Sequence, residues 1–194
     1  MTNLQLESSE FKPFIGKRLK KYRTPDLESS AVIYILVEIT IGDETYDLSN
    51  FIGDVSYLGE EEYIGIFELN KTGKQALSLL GENPKEIIVD KTISKITLIH
   101  ETQRLYKNNR LKDTCKLTRA IIFEFNQGDK LLFEKDIEDS DDIFIYSGNG
   151  VESEIATEEE ISNAWKDFYK NIIVLTKGFL VKELLRLFNR GCIH

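Results

Sequence analysis

Glu38 and Glu124 each stand four residues before a glycine-aspartate pair, in LVEITIGDE (36–44) and IFEFNQGDK (122–130). Two carboxylates a suitable distance apart can act as acid and base on a glycosidic bond, so the shared spacing raises carboxylate hydrolysis first. A hairpin made twice explains the same residues. Strand alternation places each glutamate opposite the apolar rows Ile35, Val37, Ile39 and Ile121, Phe123, Phe125, where a polar residue belongs in any half-buried strand.

Other catalytic chemistry has little to work with. The chain contains two histidines, His100 and His194, and two cysteines, Cys115 and Cys192. A thiol attack assisted by imidazole would have to pair Cys115 with His100, yet a histidine closing the apolar run ITLIH reads as a strand-end residue. Zinc-ligand spacing, a Walker loop and a dinucleotide glycine fingerprint are all missing. We therefore expect no cofactor, no metal and two free thiols, and lean away from an enzyme.

Charge is the stronger signal. The 194 residues carry a net charge of −8, with a sequence pI near 5.0, which opposes general attraction to nucleic acid or anionic membrane. Residues 25–84 hold twelve acids and two bases, and residues 120–163 hold thirteen acids and two bases; the segments around them are net positive. The densest acidic stretch is EKDIEDSDD (134–142), followed by Glu152, Glu154 and Glu158 to Glu160. Asp136, Glu138, Asp139, Asp141, Asp142, Glu152 and Glu154 are the candidate partner-binding residues. Calcium is disfavoured because the stretch lacks the glycine and the distal glutamate of an EF-hand loop. The basic KRLKKYR (17–23) and the stretch holding Arg104, Lys107, Arg110, Lys112 and Lys116 are expected to pair with the acidic faces or to be solvated rather than to bind nucleic acid.

The elements that must position these groups follow from periodicity. Residues 1–10 are polar and without period, and read as disordered. PFIGKRLKKYR favours a first strand. AVIYILVEITI, the Gly42-Asp43 turn and ETYDL form a hairpin. A two-residue loop sets Ile39 against Tyr46, Val37 against Leu48, and Glu38 against Asp47, a like-charge pair that calls for a nearby cation. GDVSYLG and EYIGIFEL add short strands, and residues 70–83 suggest a linking helix. EIIVDKTISKITLIH, a basic connection (KNNRLKDTCK), RAIIFEFNQGDKLLFEKD and DDIFIYSG repeat the same order, so an internal duplication is expected. The second Gly-Asp loop must be longer than two residues, because a two-residue loop would set Phe123 against Glu134. Thr157-x-x-Glu160 is a capping box, and an apolar stripe from Ile161 to Leu187 predicts helices over 157–190.

The expected fold class is α+β: two antiparallel β units (11–69 and 84–150) joined by a short helix, with C-terminal helices packed on the sheet, in one compact domain. The expected function is a non-enzymatic, cytoplasmic, acidic protein-binding module of inhibitor or immunity type that occludes a basic protein partner. The alternatives are a hydrolase using Glu38 and Glu124, and a structural or oligomeric component with an apolar patch around Trp165 and Phe168.

Overall fold

The computed structural model describes residues 1–25, 36–57, 60–72, 79–107, 110–136, 140–168, 173–174 and 181–186. In chain order its elements are β1 (Thr2–Leu4), α1 (Ser8–Phe11), a 3₁₀ turn (Lys12–Phe14), β2 (Arg18–Thr24), β3 (Leu36–Ile41), β4 (Glu44–Tyr57), β5 (Glu60–Lys71), β6 (Lys85–Lys107), β7 (Arg110–Phe125), β8 (Lys130–Lys135) and β9 (Ile143–Gly148). A second 3₁₀ turn (Val151–Glu154), α2 (Glu158–Phe168), β10 (Ile173–Val174) and β11 (Val181–Arg186) follow. Mostly antiparallel sheet with two short helices, the molecule is compatible with the α+β class.

Eight strands form one antiparallel path, β5-β4-β3-β2-β6-β7-β8-β9. β1 adds to β7 in parallel, and β10 and β11 pair antiparallel with β6. The path is rolled rather than flat. Six strand steps separate β5 from β8, about 29 Å at ordinary strand spacing, yet the Lys135 ammonium donates to the Gly65 carbonyl at 2.5 Å. Tyr22 on β2 likewise meets Phe133 on β8 edge to face, with centroids 6.0 Å apart. The roll encloses Leu19, Val37, Ile39, Ile41, Leu48, Ile93, Ile96, Leu98, Ile121, Phe123, Leu131 and Phe133.

The first hairpin follows its sequence closely. Val37 faces Leu48, Glu38 faces Asp47 and Ile39 faces Tyr46. Gly42 at φ +60° begins the two-residue turn, a conformation that costs glycine nothing. The second loop holds three residues: Phe125 N–H donates to Asp129 O, Gly128 N–H donates to Phe125 O, and Gly128 lies at φ +89°. That places Phe123 opposite Leu131 rather than Glu134.

Several expectations are corrected. Residues 1–10 are ordered: Thr2, Asn3 and Leu4 pair with Cys115, Lys116 and Leu117, Leu6 is buried, and Glu7 with Glu10 forms a capping box. ETYDL and the GDVSY of GDVSYLG form one strand, β4, rather than two, while residues 58–59 lie outside the described residues. The basic connection after His100 is also strand, except for residues 108–109, which lie outside the described residues. Residues 70–71 end β5, while 73–78 of the expected linking helix lie outside the described residues. At the C-terminus, 158–168 are helical, but Val181–Arg186 extend along β6 from His100 to Lys95. Helical spacing lost there because β2 leaves β6 at Thr92, and β11 satisfies the next stretch of backbone on the same edge.

Candidate functional site

The two glutamates of the repeated spacing are each bound to a cation from the adjacent strand. Arg23 Nε donates to Glu38 Oε1 at 2.6 Å, supplying the positive charge that the Glu38–Asp47 pair requires. Lys95 pairs with Glu124. The aspartates of the turns are matched too, Asp43 with Lys20 at 3.0 Å and Asp129 with Lys91. β3 and β7 are separated by β2 and β6 in the sheet, and neither Glu38 nor Glu124 lines the two clefts described below.

Much of the basic charge is therefore spent internally. Within KRLKKYR, Arg18 pairs with Asp90, Lys20 with Asp43, Lys21 with Glu86 and Arg23 with Glu38. Arg119 is fully buried: Nε donates to Glu101 Oε2 at 2.9 Å, and Nη1 donates to the carbonyls of Lys135 and Asp136. Cys115 is buried nearby, and burial pushes its thiol up to about 12, far from a reactive thiolate. It pairs across the ladder with Gln103, three positions from His100 and so on the opposite face. His100 Nδ1 instead lies 3.2 Å from Thr118 Oγ1. Cys192 lies outside the described residues.

The acidic residues collect where β8 ends. Asp136 N–H donates to the Asp142 carbonyl at 3.2 Å, closing the loop, and Ser140 Oγ donates to Asp136 Oδ2 at 3.0 Å. From β4, Asn50 Nδ2 donates to the carbonyls of Ser140 and Asp142 at 2.9 and 3.1 Å. A Cβ on Gly65 would lie 2.7 Å from the Ser140 carbonyl, so glycine permits this approach. Burial, followed by the charges of Asp141 and Asp136, raises the Asp142 carboxyl above its usual range against the opposing Ser140 hydrogen bond. Glu138 and Asp139 lie outside the described residues.

Beside this loop is a cleft of about 260 Å³ lined by Glu134, Lys135, Asp136, Phe144, Tyr146, Glu154, Ala156 and Glu160. Glu134 and Phe144 are directly paired across the β8–β9 ladder, and Tyr146 stands two positions along on the same face. Glu154 of the 3₁₀ turn, Ala156 and Glu160 of α2 form the other side, and Val151 and Ile155 are buried in a cluster with Ile122 and Leu132. Burial raises Glu134 to about 7, opposed by the Ala156 N–H and by Arg119. Burial also raises the Tyr146 phenol, with Glu134 and Glu154 adding to the shift.

The structure thus brings Asp136 and Glu154 into one cleft, with Asp141 and Asp142 on the adjoining loop. Glu152 is elsewhere, paired with Lys130 at 2.5 Å. Sequence reasoning passed over the other six lining residues, Glu134, Lys135, Phe144, Tyr146, Ala156 and Glu160. Glu134 stood inside the acidic stretch and Glu160 inside the capping box; only strand pairing brings Phe144 and Tyr146 to them. A second cleft, of about 340 Å³, lies at the other end of β8, lined by Tyr22, Ile87, Val89, Phe125 and Leu131, with Lys91 and Asp129 also at its wall.

Among the described residues, no helix is long and apolar enough to cross a membrane and no group of three or more His, Cys, Asp or Glu side chains is arranged to hold a metal ion. Comparison with protein-family models, curated proteins and solved structures finds no match.

Proposed function

We propose that the protein is a non-enzymatic, cytoplasmic binding module that captures a protein partner with a basic surface on the acidic end of its sheet and occludes it, as an inhibitor or immunity protein does. The observation that carries this reading is the crowding of like charge at one end of the sheet. Glu38, Glu124, Asp43 and Asp129 each lie beside a lysine or arginine, whereas Glu134, Asp136, Glu154 and Glu160 gather in one cleft. Concentrated charge of one sign accelerates and orients association with a partner of the other. Asp136 and Asp142 are tied together by a backbone hydrogen bond, and Asn50 holds the Ser140 and Asp142 carbonyls, which lowers the ordering cost of binding at these positions.

The same reading treats β2-β3-β4 and β6-β7-β8 as copies of one β unit. Support comes from the mirrored strand order about the β2–β6 pair. Gly16 and Asp90, equivalent in the aligned segments, both have positive φ. The equivalent carbonyls of Arg18 and Thr92 each accept an N–H from the strand-turn segment that follows, although the donors, Gly42 and Asn126, stand two positions apart in the alignment.

The test uses the full chain as bait in its native host, followed by association kinetics with the captured partner. Replacing Asp136, Asp141 and Asp142 together with asparagine is expected to slow association several-fold and flatten its salt dependence. Unchanged kinetics would remove the acidic end from the mechanism.

A further inference from the structure

Along the β7 side of β6, we infer a docking slot at Lys85–Val89 for an extended segment of a protein partner, which adds to the sheet as a strand and sets apolar side chains into the adjoining cleft. This goes beyond the capture of a basic surface at the acidic end and does not depend on it.

The first observation is an edge left open by unequal strand lengths. β7 leaves β6 at the Phe125–Ile93 pair, and its loop adds one more bond, from Asn126 N–H to Thr92 O at 3.1 Å. From Lys85 to Ile88, β6 pairs with β2 alone among the described residues. Alternate N–H and C=O groups of this stretch therefore face outward, where an added strand takes them as a sheet neighbour does. A bulge ends the slot: Lys21 pairs with Ile88 but Leu19 with Lys91, Asp90 lies at φ +50°, and its carbonyl accepts from Arg18 Nε at 3.2 Å.

The second observation is the surface of that edge. Ile87, Ile88 and Val89 line the cleft of about 340 Å³, whose floor holds Tyr22 and the buried Phe125 and Leu131. Ile88 is 66% exposed. Strand edges that must stay alone are blunted by charge or covered, whereas this one presents three consecutive β-branched apolar residues.

Charge selects the occupant. Glu86 and Asp90 flank the apolar residues, and both remain largely open to solvent while paired with Lys21 and Arg18. A segment with three apolar residues between two cations, running antiparallel, sets a cation opposite each acid. A second copy of β6 fits poorly. Pairing about Ile88 opposes Glu86 to Asp90 and Lys85 to Lys91, and pairing about Ile87 opposes Glu86 to Ile88.

The probe is the peptide acetyl-Lys-Val-Ile-Val-Lys-amide, titrated into isotopically labelled full-length protein and followed by backbone amide NMR. One comparison peptide has its three central residues N-methylated, which keeps the side chains and removes the strand donors; another has glutamates in place of the lysines. Expected are saturable shifts at Glu86, Ile87, Ile88 and Val89 with a dissociation constant of about 1 mM or tighter, none with the N-methylated peptide, and several-fold weaker binding of the glutamate peptide. Ile88→Lys, at an exposed position, should abolish the response, and the Glu86→Gln, Asp90→Asn double variant should weaken it several-fold. The Asp136→Asn, Asp141→Asn, Asp142→Asn triple variant should leave it unchanged. Absence of saturable shifts along β6 in the parent protein overturns the slot. An equal response to the N-methylated peptide overturns it by reducing the cleft to a pocket for apolar groups. A dimer in sedimentation that Ile88→Lys dissociates overturns it by giving the edge to a second copy.

Discussion

The two clefts lie at opposite ends of β8, one beside Lys130 and Leu131 and the other beside Glu134 and Lys135, and they treat charge differently. Around the first, Lys91 is matched by Asp129 and Lys130 by Glu152, over a floor of Tyr22, Val89, Phe125 and Leu131. Around the second, like charges are crowded together, and burial with neighbouring carboxylates drives Glu134 to about 7. One cleft is a seam in a self-neutralised sheet; the other gathers Glu134, Asp136, Glu154 and Glu160. On the proposed reading it is this crowding, and not the spacing of Glu38 and Glu124, that meets the partner.

Arg119 offers the strongest way to break the comparison. Its guanidinium holds Glu101 and the carbonyls of Lys135 and Asp136, beneath the acidic cleft and far from the apolar one. Arg119→Met leaves Glu101 buried without its cation, and the expected loss is about 3–5 kcal/mol in denaturant unfolding. Amide exchange should rise first at Lys135 and Asp136 and only later at Phe125 and Leu131.

Acidity sharpens it next. The Glu134 carboxyl is raised in the folded protein from 4.5 to about 7, so ionisation costs more folded than unfolded. Its contribution to stability is greatest below pH 4.5, declines as pH rises between about 4.5 and 7, and is constant above. The difference amounts to about 3 kcal/mol at most. Unfolding measured across that range should show this decline in the parent relative to Glu134→Gln, which lacks the titrating group. The apolar cleft supplies the small effect: its Lys91–Asp129 pair is about one third exposed on each side, and Asp129→Asn should change stability by less than about 1 kcal/mol.

Legibility followed the range of the interactions. The β3–β4 register was readable because an apolar row, a Gly-Asp turn and a period of two agree locally, and the longer second loop was readable from the mismatch of Phe123 with Glu134. The capping box of α2 forms as read, with Glu160 N–H donating to Thr157 Oγ1 at 3.2 Å. Polar residues hid the extension of β6 and β7, because Gln103 and Arg119 both donate to the buried Glu101 carboxylate instead of the strand alternating with apolar neighbours. β1 has only three residues, and its pairing partner is more than a hundred positions away. Residues 181–186 contain Leu184 of a Leu180, Leu184, Leu187 stripe at helical spacing, and tertiary pairing with β6 overrides it. The charge blocks were legible and located the acidic end; the cleft within it needed the Glu134–Phe144 pairing, which charge counting does not contain.

The central claim is that the acidic end, and not the self-neutralised sheet, meets the partner. Amide hydrogen exchange of the full chain, free and bound to the captured partner, tests it most directly. The account predicts protection concentrated at Asp136, 140–146 and 154–160, with β2 and β3 unchanged. Protection centred on Arg18–Thr24 and Leu36–Ile41, with the acidic end unaffected, would contradict it.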